Sequence, residues 1–275
     1  MPTRLFSLAT LAMLALAASR LPAQRYHDAD EDWLDRCREE RNHGDDRERY
    51  CELRELALPA SGRMLTVDAR ENGGIEVRGW DADSVLVHVR VQADAESMDD
   101  ARDLAKQIAV RTANDVIRAD GPEPGRHASW SVSYEVFVPR RSDLSLETHN
   151  GPVSVEGVKG RLEVTAVNGP VWLASVAGDV RARTDNGPLG VRLEGARWDG
   201  AGLDAETTNG PVSLTIPERY AAHLETGTVN GPMTIDFPVT IQGRISGRRI
   251  ATDIGGGGPT VRVVTTNGPV IVKRR

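Results

Sequence analysis

The sequence predicts an all-β fold, in which a β-solenoid (β-helix-like) stack of short coils follows a smaller β-rich section with one α-helix. Three observations lead to this prediction. The triplet Asn-Gly-Pro occurs six times in the second half of the chain. Apolar residues lie three and five positions after each of these asparagines. Before the repeats, valines alternate with other residues at the period of two that half-buried strands show.

The first 23 residues have the layout of a secretory signal peptide. Arg4 precedes an apolar run from Leu5 to Ala18, and small residues lie near Ala23. No later segment approaches the roughly 20 apolar residues of a membrane-spanning helix. We therefore expect cleavage of residues 1–23, no transmembrane segment after signal removal, and an exported protein in the periplasm, at the cell surface or outside the cell.

Residues 24–58 form a charged leader, predicted to hold a short helix around Asp32–Arg41 and a strand that begins near Cys51. Cys37 and Cys51 are the only cysteines of the chain. A pair of cysteines in an exported protein predicts a disulfide bond, and the alternative is two free thiols. Closing this loop of about fifteen residues stabilises the leader by roughly 3 kcal/mol on the chain-entropy model.

Residues 59–146 are predicted as a β-rich section with one helix. The alternation over Val85–Val91 is typical of a strand, and a later strand, WSVSYEVFVP, ends at Pro139. The helix is expected to start at Ser97, with Asp100 as an acidic variant of the capping box. The apolar residues of 101–108 then lie on one side of the helix at helical spacing.

Residues 147–275 are predicted to form the repeat solenoid. The intervals between successive Asn-Gly-Pro triplets are 18, 18, 23, 21 and 37 residues, and the last is close to two periods. A similar triplet, Asn-Gly-Gly, begins earlier in the chain at Asn72. The seven corner asparagines are Asn72, Asn150, Asn168, Asn186, Asn209, Asn230 and Asn267.

Each copy reads as a strand with one buried face, because the positions three and five after the asparagine are apolar in all seven copies and the position between them is mostly polar. A coil that buries about five branched side chains gains roughly 8–15 kcal/mol. Ordering its 18 residues costs about 27 kcal/mol. A single coil therefore cannot fold, and we expect neighbouring coils to stack and melt together.

The corner residues each have a physical reason to be there. Asn tolerates left-handed backbone, Gly permits unusual angles, and Pro fixes φ. Stacked corners would let the asparagine amides hydrogen-bond along the axis, and threonines two residues earlier would form a parallel row of hydroxyls. We expect Asn267 to lie near the end of the stack, and residues 273–275 to guard an exposed last strand with positive charge.

The repeats and the segments around them resemble the bacterial putative-adhesin family of exported proteins with β-strand repeats, a domain of unknown function. The resemblance covers about residues 62–273. It rests on the segments ENGGIEVRGWD, SYEVFVPRRSDLSLETHNGPV and IGGGGPTVRVVTTNGPVIVKR. Family members usually carry Asn-Gly-Asp or similar at the corner, so this corner is stiffer and less acidic. The resemblance implies an all-β solenoid-like domain at the cell envelope and no catalytic residues.

Several function classes find no support in the residues. The repeat region is nearly neutral and has no basic stripe, which excludes a nucleic-acid binder. Acids on the coils share no column, and the histidines show no ligand spacing. We therefore predict no catalytic residues, no metal and no cofactor. The alternative to a non-enzymatic protein is a polysaccharide-modifying enzyme of the β-helix class, and a third possibility is a periplasmic sensing or scaffolding partner in envelope stress signalling.

Two tryptophans are the candidate ligand-binding residues. Trp172 lies in the outward column of its coil and offers a flat stacking face for a sugar or a protein. The alternative is that it covers a neighbouring strand or the preceding domain. Trp198 lies in a longer repeat, RLEGARWDGAGLDAE, where an insertion is expected to project. The predicted function is a non-enzymatic, adhesin-like binding or structural module that presents the side surfaces of its solenoid to a protein or glycan at the cell envelope.

Overall fold

The computed structural model describes residues 22–39, 47–123, 125–236, 243–246 and 248–275. Most of these residues lie in β-strands, so the all-β prediction is confirmed. Residues 1–21, which hold most of the predicted signal peptide, lie outside the described residues. None of the helices in the described part of the chain is long and apolar enough to cross a membrane.

In the part of the chain that the structure describes, two α-helices accompany the strands. They are α1 (Pro22–Glu39) and α2 (Met98–Gln107). The strands up to the first Asn-Gly-Pro corner are β1 (Glu48–Pro59), β2 (Leu65–Asp68), β3 (Ile75–Trp80), β4 (Ser84–Ala95), β5 (Ala109–Arg111), β6 (Val116–Asp120), β7 (Ser129–Pro139) and β8 (Leu144–Asn150). The strands after it are β9 (Val153–Glu156), β10 (Lys159–Asn168), β11 (Val171–Ala174), β12 (Ala177–Asn186), β13 (Leu189–Arg192), β14 (Gly202–Asn209), β15 (Val212–Ile216), β16 (Ala222–Asn230), β17 (Met233–Ile235), β18 (Gly243–Ser246), β19 (Arg249–Ile254), β20 (Thr260–Asn267) and β21 (Val270–Arg274).

The strands form two mixed sheets. The front sheet has the order β1-β4-β7-β3-β9-β11-β13-β15-β21-β17, and the back sheet has the order β18-β19-β16-β20-β14-β12-β10-β8-β2-β6-β5. Pairing is parallel among the repeats and antiparallel at β1–β4–β7, at β5–β6 and at β16–β19–β18. Both sheets continue from the section before residue 147 into the repeats, since β3 pairs with β9 and β2 with β8.

Each Asn-Gly-Pro triplet joins a back-sheet strand that ends at the asparagine to a front-sheet strand that begins three residues later. Neighbouring copies are in register, so that Asn168 aligns with both Asn150 and Asn186. The apolar columns face inward and form one core with the apolar residues of the earlier strands. Met233 and Ile235 of the edge strand β17 are only half-buried, whereas the other members of the two apolar columns are buried.

The C-terminal coil is not the last coil of the stack. Strand β20 lies between β14 and β16, and β21 lies between β15 and β17. Asn267 thus lies near the end of the row but has a neighbour on both sides, and the expectation that residues 273–275 guard an exposed last strand is wrong. The interval of 37 residues is also not two periods, because it contains the antiparallel pair β18–β19, after which the chain returns to the interior of the stack.

The leader is attached to the front sheet. The predicted disulfide between Cys37 and Cys51 is confirmed, and it joins α1 to β1. Strand β1 is antiparallel to β4 along its whole length. The Arg90 guanidinium of β4 lies 5.9 Å from the ring centroid of Trp33 in α1, which is within cation–π range. The observed helix begins ten residues before the predicted Asp32.

The predicted helix after Ser97 is α2. Its N-cap Ser97 accepts a hydrogen bond from the backbone N–H of Asp100 at 3.2 Å, and the Ser97 hydroxyl donates to the Asp100 carboxylate at 2.6 Å. Ala101, Leu104 and Ala105 are buried. The helix therefore packs with its apolar side against the strands, as its spacing predicts.

Candidate functional site

The seven corner asparagines lie in one row along the stack. Six of the seven side-chain amides donate to the Oδ1 atom of the asparagine in a neighbouring coil, at 2.8–3.2 Å, and Asn72 accepts the bond at its end of the row. The order of the row follows the sheets and not the chain. It runs Asn72, Asn150, Asn168, Asn186, Asn209, Asn267 and Asn230.

The expectation of left-handed backbone at the corner asparagines is wrong, because none of them has a positive φ. The following glycine has a positive φ at four of the seven corners, for example 158° at Gly169 and 157° at Gly151. A Cβ atom on Gly169 would lie 2.6 Å from the carbonyl carbon of Gly151. Glycine is therefore required by the close approach of successive coils, and asparagine contributes its side-chain amide to the row.

The threonines two residues before the corners do not bond to one another as a row of hydroxyls. The Thr184 hydroxyl donates to the Gly169 carbonyl at 2.8 Å, and the Thr207 hydroxyl donates to the Gly187 carbonyl at 2.9 Å. Thr148 and Thr265 make the corresponding bonds at 2.7 and 2.9 Å. These hydroxyls donate to corner carbonyls that are buried or half-buried and that would otherwise carry a desolvation cost.

Asn168→Ala is expected to lower the free energy of unfolding by about 1–2 kcal/mol, because it removes two side-chain hydrogen bonds of the row. Asn230→Ala removes one bond at the end of the row, where coils fray first, and is expected to cost less than half as much. Urea denaturation of the two variants measures the difference. Equal losses would contradict a cooperative row.

The outer face of the front sheet is covered at one end and open at the other. At β7, the outward-facing Glu135 and Phe137 are 2% and 0% exposed. From β9 to β21, the outward positions are mostly half-buried or exposed. The open part presents mainly small and polar side chains, and it also contains Trp172.

Trp172 is the exposed aromatic side chain of this open face, with 47% of its surface accessible. It lies between Ser154 of β9 and Gly190 of β13 in the parallel register. A Cβ atom on Gly190 would overlap the six-membered ring of the indole. The indole therefore packs over the backbone of the next coil, in the space that the missing side chain leaves.

A shallow groove of about 330 Å³ borders the indole, and Arg192, Ser213 and Thr215 contribute to its lining. The Arg192 guanidinium donates to the Glu156 carboxylate at 3.0 Å, across the strand that carries Trp172. The groove thus combines an aromatic ring, hydroxyl groups and one balanced ion pair. Such a surface can stack against an apolar ring face and hydrogen-bond to groups at its edge.

The prediction of a ligand-binding role for Trp198 is wrong. Its side chain is 3% exposed, and its indole N–H donates to the Gly178 carbonyl at 3.0 Å. The insertion that carries it returns to the stack, where Arg197 forms a bridge with Ala221. Trp198 therefore joins the core and has no free face for a ligand.

The outer face of the back sheet carries charges in pairs. Arg161 lies 2.6 Å from Glu163, Arg183 lies 3.3 Å from Glu206, and Arg262 pairs with Asp204 and Glu206. This face offers no exposed aromatic residue among the residues described. Its exposed ion pairs are screened by water and contribute little each.

Several acids of the coils are also paired with basic side chains, and the pKa is lowered at the two acids where it shifts. The Ser175 hydroxyl and then the Arg275 guanidinium lower the pKa of Glu194 by hydrogen bonding. The Lys159 ammonium lowers the pKa of Asp199. Both changes favour the ionised form at neutral pH, which is unsuited to a general acid. Within the described residues, no group of three His, Cys, Asp or Glu side chains is arranged to hold a metal ion.

A second cavity, of about 540 Å³, opens at the end of the sheets near the β1–β2 connection. Leu58, Val85 and Ile117 contribute to its apolar floor, and an ion pair of 2.5 Å between Arg63 and Asp115 lies at its rim. Its residues come from several separate segments, so no local motif marks it.

The supporting role of Gly190 beneath the indole of Trp172 is not among the sequence-based predictions. The position of Gly190 next to Trp172 in the outward column is the signal that could have indicated it.

Comparisons with known proteins identify neighbours among solved structures only. No family model matches the chain, and no curated protein matches it. A putative cell adhesion protein from Clostridium sporogenes ATCC 15579 is similar with a TM-score of 0.47 and 9% identity, over 82% of this chain and 100% of that chain. A putative adhesin from Bacteroides fragilis NCTC 9343 is similar with a TM-score of 0.40 and 11% identity, over 82% and 97%.

A third solved structure is a putative lipid binding protein from Parabacteroides distasonis ATCC 8503. It is similar with a TM-score of 0.33 and 8% identity, over 84% of this chain and 97% of that chain. Among solved structures, the chain is thus similar to putative adhesins, the class that its corner motifs and their flanking segments resemble.

Proposed function

We propose that this protein is an exported, non-enzymatic binding module of the cell envelope, which holds a glycan or protein partner on the open outer face of the front sheet. The observation that carries the proposal is the exposed indole of Trp172, which packs over Gly190 and borders a groove where Ser213 and Thr215 contribute hydroxyl groups. Exposed aromatic residues of this kind are typical of recognition surfaces.

Residues 147–275 act in this proposal as a β-solenoid that displays the face. The in-register parallel pairs support such winding, because each corner passes the chain from the back sheet to the front sheet at the same point. A surface built from stacked coils repeats its outward positions at the strand spacing of about 4.8 Å. Substituting one outward residue therefore changes the ligand face without changing the core.

Export to the envelope is supported by the apolar run near the N-terminus and by the disulfide of the leader. A polysaccharide-modifying enzyme is the weaker alternative. An enzyme of that kind needs two carboxyl groups that work as a pair, one of them with a raised pKa. The ion pairs of Glu156, Glu194 and Asp204 with arginines argue against this use.

Trp172→Ala is expected to weaken binding by at least about tenfold, equivalent to about 1.4 kcal/mol, because it removes the stacking surface. The measurement uses residues 24–275 on an array of surface glycans and in pull-downs from envelope extract. Gly190→Thr is the companion variant, since it keeps the tryptophan but displaces its ring. We expect it to weaken binding to a similar degree.

Val229→Ala is the matched control, because Val229 is a 59% exposed apolar residue of the back sheet. It should leave binding unchanged. Full binding by both Trp172→Ala and Gly190→Thr would exclude the open face as the site. Release of reducing sugar without stable retention of a glycan would instead support the enzyme.

A further inference from the structure

We propose that Asn230 is a site of spontaneous deamidation, and that the other six corner asparagines are protected from this reaction by the stack. The inference goes beyond the proposed function and does not depend on it. Asparagine followed by glycine is chemically labile, because glycine has no side chain to hinder its backbone nitrogen. Every corner of this protein contains that sequence.

The reaction conserves its atoms without an added reagent other than water. The backbone nitrogen of Gly231 attacks Cγ of Asn230, a new C–N bond closes a five-membered succinimide, and the side-chain nitrogen leaves as ammonia. The nitrogen of Gly231 gives up its proton in this step. Water then opens either of the two imide C–N bonds and leaves an aspartate or an isoaspartate at position 230.

Six corners hold the attacking nitrogen in a hydrogen bond. The N–H of Gly169 donates to the Asn186 carbonyl at 3.0 Å, and the N–H of Gly187 donates to the Asn209 carbonyl at 3.0 Å. The glycines of the other four corners, at positions 73, 151, 210 and 268, make the equivalent bond at 2.9–3.0 Å. A nitrogen that donates to the next coil keeps its proton and is held away from the neighbouring Cγ atom.

The corner of Asn230 is the exception. Its coil is the last of the row, because β17 is the edge strand of the front sheet. Among the residues that the structure describes, the N–H of Gly231 has no acceptor. The Asn230 amide donates to Asn267, but no described residue donates to the Oδ1 atom of Asn230. The attacking nitrogen of this corner is therefore less restrained than that of any other corner, and the Asn230 side chain has only one of the two row bonds that an interior asparagine makes.

Local opening adds to this difference. The ends of stacked repeats fray before their centres, and frayed backbone reaches the geometry that ring closure needs. An opening free energy lower by about 1.4 kcal/mol at the end coil corresponds to a tenfold higher population of the reactive form. The product loses the amide that donates to Asn267, so the reaction removes the last bond of the row.

The test is peptide mapping by mass spectrometry of the folded chain after incubation in warm, mildly alkaline buffer. We expect Asn230 to convert at least about tenfold faster than Asn168, with isoaspartate among the products. Equal rates at the two positions, or faster conversion at Asn168, would overturn the proposal. Asn230→Gln should abolish the early conversion and leave the other corners unchanged.

The same map of the chain unfolded in urea is the control. Asn168 and Asn230 share the sequence Asn-Gly-Pro, so their rates should converge once the stack is lost. Convergence in urea together with a large difference in the folded protein supports protection by the stack. A preference for Asn230 that persists unchanged in urea would assign it to local sequence and would also overturn the proposal.

Discussion

Deletion of residues 260–275 will release β16 and β17 from the stack, although these strands precede the deletion. The deleted residues form the coil that separates β14 and β15 from β16 and β17. Val261, Val263, Val270 and Val272 of this coil are each 0% exposed. Their burial contributes together about 6–12 kcal/mol, which is comparable with the whole stability of a typical domain.

Hydrogen exchange measured by mass spectrometry separates this result from ordinary end fraying. We expect the truncated chain to lose protection throughout residues 222–235 and to keep it in the middle coils at residues 162–173. If the coils stacked in chain order, the deletion would remove only a terminal coil. Full protection at residues 222–235 would then remain and would contradict the inserted position of the last coil.

The position of the C-terminal coil between two earlier coils marks the limit of what the sequence predicts. The core columns are readable, because apolar residues at positions three and five after each corner fit a strand with one buried face. The order of coils is not readable in the same way. All six Asn-Gly-Pro corners present the same amide, so Asn230 and Asn267 fit equally well next to Asn209. The order depends on the path of the chain through β18 and β19, which no corner motif encodes.

The two tryptophans show the same limit for the site. Trp172 lies at a position whose outward direction follows from the period of two, and the structure finds it exposed. Trp198 lies in an insertion without a period, so the sequence cannot assign it a direction. In the structure its ring is buried and its indole N–H donates to the Gly178 carbonyl. This hydrogen bond offsets the cost of removing the polar N–H group from water.

Gly187→Ala is expected to lower the free energy of unfolding by at least about 3 kcal/mol. A Cβ atom at this position would overlap the carbonyl oxygen of Gly169 and lie 2.5 Å from its carbonyl carbon and 3.1 Å from the nitrogen of Pro170. All three are backbone atoms, so no side-chain rotation relieves the clash. The coils at Asn168 and Asn186 must move apart, and this weakens the bond between their amides.

Gly125→Ala is the matched control for this substitution. A Cβ atom on Gly125 would have nothing within 4 Å, so the change in stability should stay within about 0.5 kcal/mol. Urea denaturation followed by circular dichroism compares both variants with the parent chain. A loss at Gly187 as small as the loss at Gly125 would mean that the coils do not approach each other this closely. The close approach would then not explain why each corner carries glycine, since replacing that glycine would cost no more than replacing one with open space around it.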